Sequence, residues 1–317
     1  LPAGYRFMNA ILRFGNRTLL MLRGRSVEEE LDYAMTFTDL LEGLMRFDMQ
    51  MSYLGYYGDD RTWEKDESGS GIGYVPFSKR EKNFKVAPRR PHPPLEVTTP
   101  EELARKGIDV IDDADVVIIG SGAAGAILAE QMLKKGRNVL MLERGLYSHP
   151  DTFSEDEIDM VSRLYSDGAL QISQSLRFTI LQGSAVGGTT VVNNAVCFDT
   201  PERVVDAWNA RGERDAIDKE AYFKAQAEVR KRMGIGRIKA NTRTPLDDVL
   251  NRGDAKISDG VEKYFQKHPE IGAYDYDVVE ANITDCLGCG YCNIGCKYGR
   301  KISMLDEVLP AAQAEYG

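Results

Sequence analysis

The chain has 317 residues, 43% of them hydrophobic and 28% charged, enough to bury a sizeable core in one large domain with an extension. A formal net charge of −9 argues against a nucleic-acid partner, because phosphate binding needs clustered Lys and Arg. No apolar run approaches bilayer-spanning length, so no transmembrane segment is expected; with Leu1 rather than Met in first place, secretion is not legible.

Residues 1 to about 57 read as helical. Ser26 and Glu29 form an S-x-x-E capping box, each side chain accepting from an otherwise unpaired backbone N–H. Leu31, Met35, Leu41, Leu44, Met45 and Met49 then recur at near-helical spacing, a stripe that reads as ordinary core. The sharper alternative is a surface that docks a partner or a greasy substrate, since Met adapts to irregular contacts. From Gly58 to Pro100 the composition turns to Gly, Ser, Pro and charge, which predicts a long irregular connection. His92 lies in it and is expected to be exposed and chemically idle. The expected division is therefore a helical region with linker over residues 1–105 and an α/β domain over 106–317.

At Asp115 the pattern changes character. ADVVIIG is a short β-branched run, as expected for the buried first strand of a parallel sheet. It leads into Gly120-Ser121-Gly122-Ala123-Ala124-Gly125, then a helical segment, then the strand NVLMLE ending at Glu143. Gly120 permits the tight turn, Gly122 lets backbone approach a pyrophosphate, and Gly125 lets helix and strand pack closely. Ala123 and Ala124 in the turn are counted with the cofactor-binding residues, the N-terminus of the following helix AILAEQMLKKG offers N–H groups and a positive dipole end to phosphates, and Glu143 can accept from ribose hydroxyls. Strand, helix, second strand and acid in that order predict a Rossmann-like GxGxxG dinucleotide site, with Arg144 continuing it.

Residues 181–197 supply a second glycine-rich stretch, LQGSAVGGTTVVNNAVC. Small residues there can run backbone against a flat ring or a diphosphate, and Asn193 and Asn194 carry amide donors and acceptors for a polar ring edge. Thr200 as N-cap and Pro201 at the first helical position are expected to start the next helix. Cys197 reads as a small buried hydrophobe.

Cys286, Cys289, Cys292 and Cys296 hold the remaining thiols in one loop, spaced C-x2-C-x2-C-x3-C like a bacterial ferredoxin run. A disulfide framework would spread its cysteines, so the loop looks like a ligand set. A 4Fe-4S or 3Fe-4S cluster is the favoured occupant. Structural thiols or a disulfide come next, then zinc, which usually draws on two separated pairs. Lys297 stands where ferredoxins place Pro, and no second run exists, so at most one cluster forms. Thiols in this number favour a reducing cytoplasm.

On DVVIIGSGAAGAILAEQMLKKGRNVLMLERG, GSAVGGTTVVNNAV and TPERVVDAW, the chain resembles the glucose–methanol–choline (GMC) oxidoreductases over roughly residues 111–317. The stretch CGYCNIGCKYGRKISMLDEVLPAA is similar to a loop in the branch holding long-chain alcohol oxidases, some cholesterol oxidases and flavin glucose dehydrogenases. The resemblance implies FAD rather than a nicotinamide dinucleotide. Gly120, Gly122 and Gly125 would lie at its pyrophosphate, Glu143 at the adenosine ribose, and Gly183, Gly187, Gly188, Thr189 and Asn193 near the diphosphate and the flavin. It also implies oxidation of an alcohol, bulky or lipophilic first and sugar-like next, with electrons passed to an acceptor. Cys286, Cys292 and Cys296 match the cluster-loop spacing of the flavin glucose dehydrogenases. The family's catalytic His lies towards its C-terminus, and neither His149 nor His268 fits that motif, so no catalytic residue is assigned. The expectation is that a further segment or a second polypeptide completes the substrate domain.

Overall fold

The structure, a computed structural model, describes residues 37–65, 71–82, 85–89, 91–111, 113–173, 178–212, 216–238, 260, 262–269 and 279–317. The Ser26–Glu29 box, Leu31, Met35 and the side chain of Leu41 lie outside the described residues. In chain order the main elements begin with helices α1 (Phe37–Gly58) and α2 (Pro100–Lys106). Strand β1 (Val116–Ile119), helix α3 (Ala123–Lys134), strand β2 (Val139–Leu142) and helix α4 (Glu157–Leu164) follow. Next come strands β3 (Gln171–Ile172), β4 (Thr179–Ile180) and β5 (Val196–Cys197), then helices α5 (Glu202–Ala210) and α6 (Lys219–Arg232). Strands β6 (Gly236–Arg237) and β7 (Glu280–Ala281), a π-helical turn at Met304–Val308 and helix α7 (Leu309–Tyr316) complete the α/β set.

Two compact units emerge, one from Leu1–Lys82 with Ser154–Ser184, the other from Asn83–Phe153 with Ala185–Gly317. In the first, α1 packs on α4, and β3 pairs antiparallel with β4. Glu155, nearly buried, accepts from the Ser78 amide (3.1 Å) and hydroxyl (2.8 Å) and so fixes the loop around Phe77. The stripe on α1 departs from expectation: Leu44 is 53% and Met45 40% exposed, because only part of the helix surface meets α4. Between Gly58 and Pro100 the described residues carry only two short 3-10 turns, as the composition predicts. His92 corrects its reading. It is half-buried, both ring nitrogens are shut away from solvent without a hydrogen-bond partner, and its ring meets His149 edge-on at 5.0 Å. Burial, the main cause, holds its pKa below the ordinary imidazole value.

The second unit is built on β1–α3–β2. The two strands run parallel, Val116 opposite Val139 through to Ile119 opposite Leu142. Ile118 is buried towards α3, while Val117 (55%) and Ile119 (87%) on the opposite pleat are exposed. The expectation of a wholly buried strand is thus half met: α3 covers one face of this sheet and the described residues leave the other bare. Ala126 and Ala129 give α3 a small-residue face on which α7 and the π-helical turn pack. Pro310 can return no amide to Asp306, which favours the wider turn there. A second sheet has the antiparallel order β5-β7-β6. Helix α5 begins at Glu202 with Pro201 as an uncapped N-cap, one position later than Thr200 and Pro201 predict. Thr200 is engaged elsewhere: its hydroxyl pairs with that of Tyr222 (2.9 Å) and its amide donates to Gln226 (3.0 Å).

Candidate functional site

The end of β1 turns into α3 through three glycines, two of which the protein itself requires to be glycine. Gly120 has φ +96°, a left-handed backbone that side chains resist, and its amide donates to Leu142 O at 2.7 Å, closing the turn onto β2. Gly125 is a matter of space, since a Cβ there would stand 2.0 Å from Gly120 O. Gly122 has neither reason. Its φ is −66°, and a Cβ would meet nothing closer than Gly188 Cα at 4.0 Å. It is also the N-cap of α3 and offers no side-chain cap, leaving the first-turn amides of Ala123 and Ala124 without one. The protein itself does not require glycine at this position.

Ser121, 1% exposed, joins the two glycine-rich motifs. Its amide and hydroxyl both donate to Glu143 Oε2 (2.8 and 2.7 Å), and its Oγ accepts from the Gly187 amide (2.9 Å). Gly145 N donates to Glu143 Oε1 at 2.7 Å. The carboxylate is therefore oriented by the Ser121 amide and hydroxyl and by the Gly145 amide, with the Arg144 amide also bearing on it, and the Arg144 residue is exposed. Burial pushes the Glu143 pKa up, but the hydrogen bonds from Ser121 and the Gly145 amide together outweigh it and leave a net lowering. The sign then follows: as pH falls below the ordinary value of 4.5, the unfolded chain takes up the proton first. Stability conferred by Glu143 is present above that pH and is lost as pH drops through the folded value. Urea midpoints measured between roughly pH 5 and pH 3 are expected to fall more steeply for the parent than for Glu143→Gln.

The second motif forms a turn against the first. Gly187 (φ +93°) is buried beneath Leu305 and Val191, and a Cβ on Gly188 would lie 2.8 Å from Gly122 Cα. Thr190 Oγ1 donates to Gly187 O (2.6 Å) and accepts from the Met304 amide (3.1 Å). Thr189 and Asn193 are exposed on the turn, with Asn193 Oδ1 accepting from Ala195 N. Gly183 belongs to the other unit, where it bridges to Tyr165. The structure thus brings together Gly120, Gly122, Gly188 and the start of α3, with Glu143 tied in through Ser121.

Cys286, Cys289, Cys292 and Cys296 line one enclosed cavity of about 20 Å³ with Lys301. Arg300 N and Lys301 N donate to Cys296 Sγ (3.1 and 3.3 Å), and Gly288 N to Cys286 Sγ (3.4 Å). Burial raises the Cys289 thiol to about 11 and also lifts Cys292, so neither is a ready thiolate. Among the described residues no three Cys, His, Asp or Glu side chains are disposed to hold a metal ion. As placed, the loop does not fit an iron–sulfur cluster. Cys197 is half-buried, its thiol raised by burial and donating to Ala195 O (3.4 Å).

An apolar cleft of about 490 Å³ opens beside β5, lined by Val196, Phe198, Tyr222, Val229 and Ile235. His149 accepts from Asp151 N, and His268 packs on Tyr264 at 4.4 Å. Two buried residues that the sequence leaves unmarked tie separate segments together: Ser121 and Lys301. A serine between glycines and a lysine in a charged run give no outward sign of burial.

Residues 114–317 match the sequence model of a family described as GMC oxidoreductase. The chain is 27% identical over a 340-residue alignment to long-chain-alcohol oxidase FAO4B of Arabidopsis thaliana, covering 93% of this chain and 43% of that protein. It is 29% identical over 215 residues to long-chain-alcohol oxidase FAO3 of the same plant, covering 65% and 27% respectively. A cholesterol oxidase of Acinetobacter baumannii is 26% identical over 207 residues, covering 60% and 36%. The chain spans less than half the length of these relatives. No described helix is long and apolar enough to cross a membrane.

Proposed function

Because the chain belongs to the GMC oxidoreductase family, we propose that it holds FAD on a Rossmann-like β1–α3–β2 unit and serves a flavin-dependent alcohol oxidoreductase. The observation that carries this reading is Gly122. Its missing side chain leaves room that no protein atom uses, beside the uncapped start of a 12-residue helix. Backbone laid bare beside a positive helix end suits a diphosphate. Gly120, Ala123, Ala124 and Gly125 would frame the pyrophosphate with it. Glu143, oriented by Ser121 and Gly145 and flanked by Arg144, would accept from the ribose. Gly187, Gly188, Thr189 and Asn193 would line the path towards the ring. When bound, FAD supplies the hydride acceptor; these residues bind and orient it.

The substrate we propose is a bulky or lipophilic alcohol, with sugars next. The activities for which the relatives are named and the apolar cleft beside β5 support it. No residue of this chain is given a catalytic role, and no electron route runs through the cysteine loop, whose side chains as placed offer no metal-ion site. The free thiols suit a reducing cytoplasm. A second reading has its own support in the short span relative to the relatives. In it, the chain is the flavin-carrying part of an assembly whose substrate chemistry lies on another segment or partner. Alcohol-dependent dye reduction by residues 1–317 alone separates the two, and turnover removes the second.

Gly122→Ala tests the cofactor reading. With nothing within 3.4 Å of the new Cβ, the fold should be retained within about 1 kcal/mol. Flavin retention through gel filtration should nevertheless fall, with affinity weakened about tenfold or more. Unchanged flavin binding in this variant, or a parent that retains none, rejects the site.

A further inference from the structure

Lys301 is the largest fully buried side chain among the described residues, at 1% exposure. Its ammonium has three N–H bonds, and three carbonyl oxygens receive them: Val191 (2.8 Å), Asn193 (2.8 Å) and Cys292 (2.7 Å). Asn193 Oδ1 lies a further step away at 3.4 Å. Two of these carbonyls belong to the turn that begins at Gly187, and the third to the cysteine loop. Its own amide donates to Cys296 Sγ in that same loop. A buried ammonium is costly to desolvate and is tolerated when every proton is bound, as here. An apolar side chain would fill the space more cheaply, so the charge is there for what it joins.

We propose that Lys301 is a positioning residue that couples the cysteine loop to the FAD-side turn. One nitrogen atom holds both segments by charge-assisted bonds, which are short and steeply distance-dependent. The turn cannot shift without pulling on the loop, nor the loop without pulling on the turn. Ligand that orders residues 187–193 therefore orders 286–296 as well, and a change that loosens the loop weakens ligand binding at the turn. The ligand half of this inference rests on the FAD reading above; the mechanical half does not.

Hydrogen–deuterium exchange with mass spectrometry on the 317-residue chain tests it, using the parent, Lys301→Met and Lys301→Gln, each with and without FAD. Without FAD, Lys301→Met is expected to speed exchange in 187–193 and in 286–296 together, by about tenfold or more, while 116–142 is unchanged. Lys301→Gln keeps two N–H donors and should restore part of the protection, which a space-filling role would not do. If the Met variant does not fold, the Gln variant carries the comparison. With FAD, the parent should gain protection in both segments and Lys301→Met in the turn alone. Unchanged apo exchange in either segment overturns the proposal, as does equal FAD protection of the loop in parent and Met variant. A parent that gains nothing from FAD sinks the cofactor reading and the ligand half with it, whereas the apo comparison still decides whether Lys301 holds the two segments.

Discussion

Gly125→Ala is expected to disrupt the β1–α3–β2 unit. The new Cβ would sit 2.0 Å from Gly120 O, 3.1 Å from its carbonyl carbon and 3.3 Å from Ile118 Cγ2. Two of these neighbours are backbone, and Gly120 is itself pinned by its bond to Leu142 O, so no flexible side chain can yield. Added methyl groups in packed interiors cost about 1–3 kcal/mol, and a backbone collision belongs at or beyond the top of that range. Against a domain stability of roughly 5–15 kcal/mol, a loss of about 3 kcal/mol or more is a large fraction. Urea unfolding followed by circular dichroism measures it. The contrast with Gly122→Ala is the sharper test: two equal additions, three positions apart, should separate folding from flavin binding. Equal stability losses in both would falsify the division of labour drawn between these glycines.

Ser121→Ala is expected to loosen both glycine-rich motifs at once while leaving the strands and α3 in place. Two hydrogen bonds vanish with one oxygen. Glu143 loses a donor, and the Gly187 amide, buried, loses its acceptor. A bond to a charged group contributes about 1.5–3 kcal/mol and an orphaned buried amide costs about 1–3 kcal/mol; partial relaxation places the sum near 2–4 kcal/mol. Flavin quenching should weaken in parallel, because the carboxylate and the turn are held by the same hydroxyl. Combining Ser121→Ala with Glu143→Gln should cost less than the two separate losses added together. Strict additivity would show that the chain of bonds from Gly187 through Ser121 to Glu143 is not a working unit.

The strand–helix–strand unit was readable because a β-branched run, a glycine turn and a helix leave local signals, and Val116–Leu142 folds as they indicate. The glycines were readable as a set but not singly. That Gly125 answers to packing and Gly122 to nothing in the protein depends on atoms that only the fold brings near. Thr200 and Pro201 carried good capping chemistry, yet Tyr222 and Gln226 on α6 drew Thr200 away. Leu44, Met45, Val117 and Ile119 are apolar in sequence and exposed in place, since periodicity says which face is apolar and not whether a neighbour covers it. The cysteine spacing promised converging thiols; the four line one cavity, but no three of them are disposed to hold a metal ion. It could not reveal that a buried lysine and a cavity of about 20 Å³ would share the space.

The bond between Gly187 and Ser121 joins residues 66 positions apart, and that between Lys301 and Val191 spans 110. At a synthesis rate of about 5–20 residues per second, Ser121 leaves the ribosome roughly 3–13 s before its partner amide exists. The second turn then waits roughly 5–22 s more for the ammonium that holds it. During translation the first motif is thus a half-built cradle, its serine hydroxyl facing water, and the nascent chain gains its finished pocket late, from residues made well after it.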